Sequence, residues 1–248
     1  MQTDASTAPA PATSGICAGV RIHAVVFDLD DTLYPEAAYV ASGFRAVGDA
    51  LAREHGVEGF GALAAAVAAE GARGNVFDEA LRRAGVAEAS VASLVPWCVD
   101  RYREHLPDIA LFPGGHEALE ALRGAVKLAV LTDGWLVAQR RKVEALGLAA
   151  RVDAVVYSDT FGRAHWKPSE VPYRAVAEAL GVAHDGCVYI ADNPAKDFIT
   201  AKALGWRTIQ VARPGQTHAA EAPSAAHGAE ATAADLPAAM AIVRAWMG

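Results

Sequence analysis

The stretch VVFDLDDTLYPE, residues 25–36, decides how the rest of the chain is read. An apolar run, RIHAVVF (21–27), ends directly in Asp28, with Asp30 and Asp31 close behind. Adjacent carboxylates repel, and burial makes each charge more costly to keep. Such a cluster persists where a cation takes up the charge, or where chemistry needs a poised acid.

Four later runs have the same character: VKLAVL (126–131), DAVVY (153–157), CVYIA (187–191) and TIQVA (208–212). None alternates cleanly between apolar and polar, which suits strands of a parallel sheet covered on both faces. Between them, residues 135–147, 169–181 and 195–205 carry helical patterns, each closing on a glycine. Strands alternating with helices predict an α/β fold built on a doubly wound parallel sheet.

One long gap separates the first strand from the second. It carries helical spacing instead, with Val40, Phe44, Val47 and Leu51 on one face, then FDEALRRAG, then Val91, Leu94, Val95, Cys98 and Tyr102. Residues 36–110 therefore read as an inserted helical module, and 21–35 with 111–248 as the α/β core. Tyr34 and Pro35 mark the exit into the insert, and FPGG (112–115) the return. A module hinged at the mouth of a sheet is placed to act as a lid. Residues 1–20, rich in Ala, Pro, Thr and Ser, read as a disordered tail. The biased segment 216–235 reads as a surface loop before a terminal helix, LPAAMAIVRAWM.

With 53% hydrophobic and 21% charged residues, the 248-residue chain has the composition of a folded protein. A net charge of −7 argues against nucleic acids and anionic membranes as partners, so an anionic substrate must be drawn by a local site. No apolar run approaches a membrane span. The first twenty residues lack the basic and apolar regions of a signal peptide, and a cytoplasmic location is expected. Cys17, Cys98 and Cys187 show no metal-binding spacing. Cys98 and Cys187, inside apolar runs, are expected to be buried thiols.

Ligands of open parallel sheets bind beyond the carboxyl ends of the strands. The first strand delivers Asp28 and Asp30 there. The second delivers Thr132, Asp133 and Gly134; the third Ser158 and Asp159, with Lys167 a few residues on; the fourth Asp192, Asn193 and Asp197. Carboxylates, a hydroxyl and a lysine on one edge suit phosphoryl transfer. A carboxylate can take the phosphoryl group, splitting one displacement into two. Mg²⁺, held by carboxylates, can offset the repulsion between anions. A lysine and a hydroxyl can hold phosphoryl oxygens, and a second carboxyl can move the proton.

These residues resemble the phosphatase branch of the haloacid dehalogenase superfamily. The motifs appear in order as VVFDLDDT (25–32), LAVLTDG (128–134), HWKP (165–168) and YIADNPAKD (189–197), and the resemblance spans residues 21 to 212. It implies a Rossmann-like core with a helical cap, and an Mg²⁺-dependent hydrolase of a small phosphorylated metabolite of the nucleotide or sugar phosphate class, as a monomer or homodimer. It also implies Asp28 as nucleophile and Asp30 as general acid/base. Thr132, Asp133, Gly134 and Lys167 would bind the phosphate. Asp28, the Asp30 carbonyl and Asp192 would hold Mg²⁺, with Asp197 behind them. Asp31 receives no catalytic role and Thr32 a structural one. Asp133 departs from the asparagine many members carry, Ala191 from the usual glycine, and KPSEVPY is one residue longer before its proline.

The resemblance leaves other readings. A dehalogenase lacks the acid that Asp30 supplies. Phosphonate cleavage needs a cap lysine, and residues 36–110 contain none. A sugar-phosphate mutase keeps the same motifs, and a non-catalytic phosphate sensor or scaffold belongs to another class altogether. His165, Trp166 and Arg45 are further candidates for substrate contact.

Overall fold

A computed structural model of the chain describes residues 21–72 and 74–248. The tail expected over residues 1–20, with Cys17, lies outside them. Six parallel strands form one sheet: β1 (Ala24–Phe27), β2 (Lys127–Thr132), β3 (Ala154–Tyr157), β4 (Cys187–Ala191), β5 (Arg207–Val211) and β6 (Ala231–Ala233). Their spatial order is β3-β2-β1-β4-β5-β6. All residues of β1 and β4 are buried. That is why neither strand alternates in sequence: both faces are covered.

Alternate side chains of each strand enter different cores. Val25, Phe27, Leu128, Val130, Val188 and Ile190 pack on one side with α5 (Gly115–Leu122), α6 (Leu136–Ala145) and α9 (Leu236–Met247). Ala24, Val26, Leu131 and Tyr189 pack on the other, against α7 (Glu170–Leu180) and α8 (Phe198–Ala203). Local signals set the helix ends. Ser169 accepts the Val171 N–H at 3.4 Å at the start of α7, and Gly181 closes that helix at φ +64°. Asp235 caps α9 by accepting the Ala238 N–H at 2.8 Å.

The chain leaves β1 through Asp31, which takes the left-handed conformation at φ +51°. Aspartate tolerates that conformation better than most residues. Its carboxylate accepts the backbone N–H groups of Glu36 at 2.9 Å and Thr217 at 2.7 Å. Asp31 is thus a buckle that ties the turn after β1 to the segment after β5.

Four helices follow: α1 (Glu36–His55), α2 (Phe60–Ala69), α3 (Val76–Arg83) and α4 (Glu88–Glu104). They enclose a core of their own around Phe44, Val47, Leu51, Phe60, Leu81, Val91 and Cys98. Helices α1 and α2 touch through glycines: a Cβ on Gly48 would lie 2.8 Å from the Gly61 nitrogen. Gly48→Leu should therefore force the pair apart and cost about 1–3 kcal/mol, read as a lower denaturation midpoint in urea. Phe112 N–H donates to the Leu33 carbonyl at 2.8 Å, where the chain returns to the core.

The five strands expected from sequence are present, four of them within a residue of the expected bounds and β1 starting three residues later than the run 21–27. The sixth is not legible there. Residues 231–233 lie in the segment expected to be a surface loop, yet they pair with β5 in parallel. Three short residues carry too little apolar signal to announce a strand, and the free edge of β5 supplies the partner. Cys98 and Cys187 are buried and unpaired. Among the described residues no helix is long and apolar enough to cross a membrane.

Candidate active site

The strand order reverses direction between β1 and β4, which lie side by side and lead away to β2 and β5. This is the topological switch point at which open α/β sheets form a crevice. Asp28 follows β1, and its N–H donates to the Ile190 carbonyl at 2.9 Å, so β4 fixes its position. Asp192 follows β4 and Thr132 ends β2. The sheet thereby joins residues more than a hundred positions apart.

An oxygen from each of Asp28, Asp192 and Asp197 lies within 4.8 Å of the others, and all three residues are buried. Burial raises the proton affinity of Asp28, with Lys167 pulling it back down. Burial also raises that of Asp192, reinforced by the charges of Asp28 and Asp197. One oxygen of Asp192, Oδ2, has no hydrogen-bond partner, and neither does the buried Thr132 hydroxyl. Buried polar atoms are rarely left so. Hard, clustered carboxylate oxygens with one atom unpaired fit Mg²⁺.

The Lys167 ammonium donates to Asp28 at 2.6 Å, Asp197 at 2.7 Å and the Tyr189 hydroxyl at 2.9 Å, with its side chain fully buried. Burial opposes its charge, but Asp197 and Asp28 outweigh that and hold it protonated. The second oxygen of Asp197 accepts the Asn193 N–H at 3.2 Å. Both oxygens of Asp197 thus have protein donors.

Asp133 accepts the Lys167 N–H at 3.2 Å and the Lys196 ammonium at 3.3 Å. Gly134 has φ +126°, and a Cβ there would stand 2.5 Å from the Gln139 amide nitrogen, so the turn admits only glycine.

Asp30 points to a different set of partners. It accepts from Lys142 at 2.7 Å, from Gln139 at 3.0 Å and from the Tyr34 hydroxyl. Burial works to raise its proton affinity, but Lys142 and these hydrogen bonds hold the carboxyl below its ordinary range. Thr32 donates to Asp192 at 3.4 Å.

A cavity of about 550 Å³ opens over Asp30, Asp133, Gly134 and Lys167, roofed by Tyr39, Phe77 and Tyr102 of the insertion. Trp166 lines it and donates to Asp159 at 3.1 Å. His165 is exposed and is not among its lining residues. Arg45 pairs with Asp108 at 3.1 Å, both side chains largely exposed, and does not line it either.

The sequence reading misses the polar partners in this neighbourhood, Tyr34 and Tyr189 through their hydroxyls, Gln139, Lys142 and Lys196, as well as Tyr39 and Phe77 on the cavity wall. Gln139 and Lys142 stand three apart on α6 and share a face. That spacing was the available signal. Arg140 and Arg141 beside them look the same in sequence, and only packing separates the buried lysine from its surface neighbours.

The haloacid dehalogenase-like hydrolase family matches residues 22–205. A phosphoserine phosphatase of Thermus thermophilus is 34% identical over 200 residues, 80% of this chain and 76% of that protein. A phosphoglycolate phosphatase of Rhodospirillum rubrum is 32% identical over 195 residues, 73% of this chain and 76% of that one. In fold, the chain resembles the crystal structure of a 2-haloacid dehalogenase from Pseudomonas syringae, with TM-score 0.62, 24% identity and coverage of 91% of this chain and 99% of the other. The chain belongs to the haloacid dehalogenase-like hydrolases and is an enzyme of their phosphatase branch.

Proposed function

We propose that this protein is an Mg²⁺-dependent phosphatase that hydrolyses a small phosphomonoester through an aspartyl-phosphate intermediate. The observation that carries this reading is a pair of unpartnered buried atoms at the ends of the two strands that flank β1, the Thr132 hydroxyl and Asp192 Oδ2. One is a donor suited to a phosphoryl oxygen, the other an acceptor suited to a cation.

Asp28 attacks phosphorus, the ester oxygen leaves with a proton from Asp30, and water then releases phosphate from Asp28. Thr132 and the Asp133–Gly134 turn hold the phosphoryl group, while Lys167 keeps a fixed positive charge against Asp28. Mg²⁺ would be held by Asp28, Asp192 and the Asp30 carbonyl, and when bound it offsets the repulsion between carboxylate and phosphate. Asp197, whose oxygens already have donors, orients the site from behind. The ionised Asp30 described above suits the second step, in which it takes a proton from water; to serve the first step it must hold a proton against the charge of Lys142.

The insertion acts as the cap that closes over the substrate. A 550 Å³ cavity has the size for a small metabolite. Relatives that act on phosphoserine and phosphoglycolate support a small phosphorylated acid as readily as a nucleotide or sugar phosphate. Phosphate release from a panel of phosphorylated metabolites with Mg²⁺ tests the reading, and a panel without turnover would refute it.

Asp30→Asn tests the proton step. It keeps the backbone carbonyl and removes the acid. An alkyl phosphate needs its leaving oxygen protonated, whereas p-nitrophenolate leaves readily as an anion. The first-step rate, measured by rapid quench, should fall about 10²-fold or more for the alkyl ester and markedly less for p-nitrophenyl phosphate. Equal losses would mean that Asp30 acts through geometry alone.

A further inference from the structure

Lys196 has no role in the account above. It precedes Asp197 in the turn between β4 and α8, and its side chain remains 29% exposed on the cavity wall beside Asp133, Gly134 and Lys167. Sequence alone gives no reason to separate it from any surface lysine.

Donor counting distinguishes the two lysines. An ammonium carries three N–H donors. Those of Lys167 are all engaged, by Asp28, Asp197 and Tyr189, inside a side chain with no exposure. Lys167 can reach a phosphoryl oxygen only by giving up one of these bonds. Lys196, among the described residues, has a single side-chain partner, Asp133 at 3.3 Å. Two donors are left without a protein partner, on a residue that lines the cavity.

We propose that Lys196 is a further phosphate-binding residue, an ammonium anchored by Asp133 that takes oxygens of the substrate's phosphate which Lys167 has no free donor to hold. The inference rests on the phosphatase reading and adds a residue to it. It also accounts for the aspartate at position 133. An asparagine could accept the Lys167 N–H equally well, but it would bring no charge to hold a second ammonium in place. The ligand is a phosphate dianion, whether of the substrate ester or of the inorganic product.

The test is binding of inorganic phosphate, with Mg²⁺, by calorimetry to the wild-type chain, Lys196→Met and Lys196→Arg, each with its melting temperature. A lost charge-assisted hydrogen bond predicts a dissociation constant raised about tenfold or more in Lys196→Met, at a melting temperature close to wild type. Lys196→Arg, which keeps the charge, should recover part of the affinity. If Lys196→Met does not fold, Lys196→Gln against Lys196→Arg gives the same contrast. Unchanged phosphate affinity in the uncharged variant would overturn the inference, leaving Lys196 a counter-ion of Asp133. So would a wild-type chain that binds no phosphate. A wild-type chain that binds phosphate but hydrolyses no ester would instead overturn the phosphatase reading, so the two failures are distinguishable.

Discussion

Asp28→Asn should reduce phosphate release by about 10³-fold or more, because in the proposed mechanism it removes the nucleophile that forms the covalent bond. The fold should survive. Asparagine has nearly the same shape, and Lys167 keeps Asp197 and Tyr189 as partners. The substitution also removes one of three buried carboxylates that crowd within 4.8 Å. That relief of repulsion offsets the lost ion pair, so the metal-free melting temperature should stay within a few degrees of wild type. Steady-state phosphate release and thermal unfolding check the two halves separately. A folded variant retaining more than a few per cent of activity would exclude Asp28 as nucleophile. In the wild type, beryllium or aluminium fluoride with Mg²⁺ should inhibit as mimics of the phosphoryl group on Asp28.

Chelation should have an effect of similar size. EDTA is expected to abolish turnover and added Mg²⁺ to restore it, with Ca²⁺ a poor substitute because it favours more ligands and looser geometry. Asp192→Ala should raise the Mg²⁺ requirement steeply, since Asp192 Oδ2 is the acceptor left open for the ion. Asp197→Ala should raise it less, because both of its oxygens serve Lys167 and the Asn193 N–H.

The pH dependence follows from the same carboxyls. Burial raises the proton affinity of both Asp28 and Asp192, so protons compete with the metal for the site. Acidification fills the carboxyls with protons, and Mg²⁺ must displace them. The Mg²⁺ concentration for half activation should therefore rise as pH falls, by up to about tenfold per pH unit for each proton displaced. A requirement flat from pH 8 to 6, or full activity in EDTA, would refute the metal assignment.

Much of this was legible in the linear chain, for a physical reason. A parallel strand buried on both faces must be a short unbroken apolar run, and RIHAVVF, VKLAVL and CVYIA are such runs. A chain that leaves each run at the same sheet edge must bring the residues immediately after it together. Asp28, Thr132 and Asp192 could therefore be expected at one sheet edge from order and spacing alone. The spacing of Phe44, Val47 and Leu51 announced a helix, and these residues share one buried core on α1.

What the sequence could not decide depends on contacts without local periodicity. The strand at residues 231–233 exists because β5 offers it a free edge. The buckle at Asp31 exists because Thr217, far along the chain, meets it. Lys142 and Gln139 reach Asp30 only because α6 packs beside the turn after β1, while Arg140 and Arg141 on the same helix stay at the surface. The division of labour between Lys167 and Lys196 is of the same kind. Both are lysines near a motif in the sequence; only the folded chain encloses one among three acceptors and leaves the other with a single anchor at the cavity wall. Backbone patterns repeat along the chain and can be read from it, whereas the partner of a buried charge is set by which distant element lies across from it.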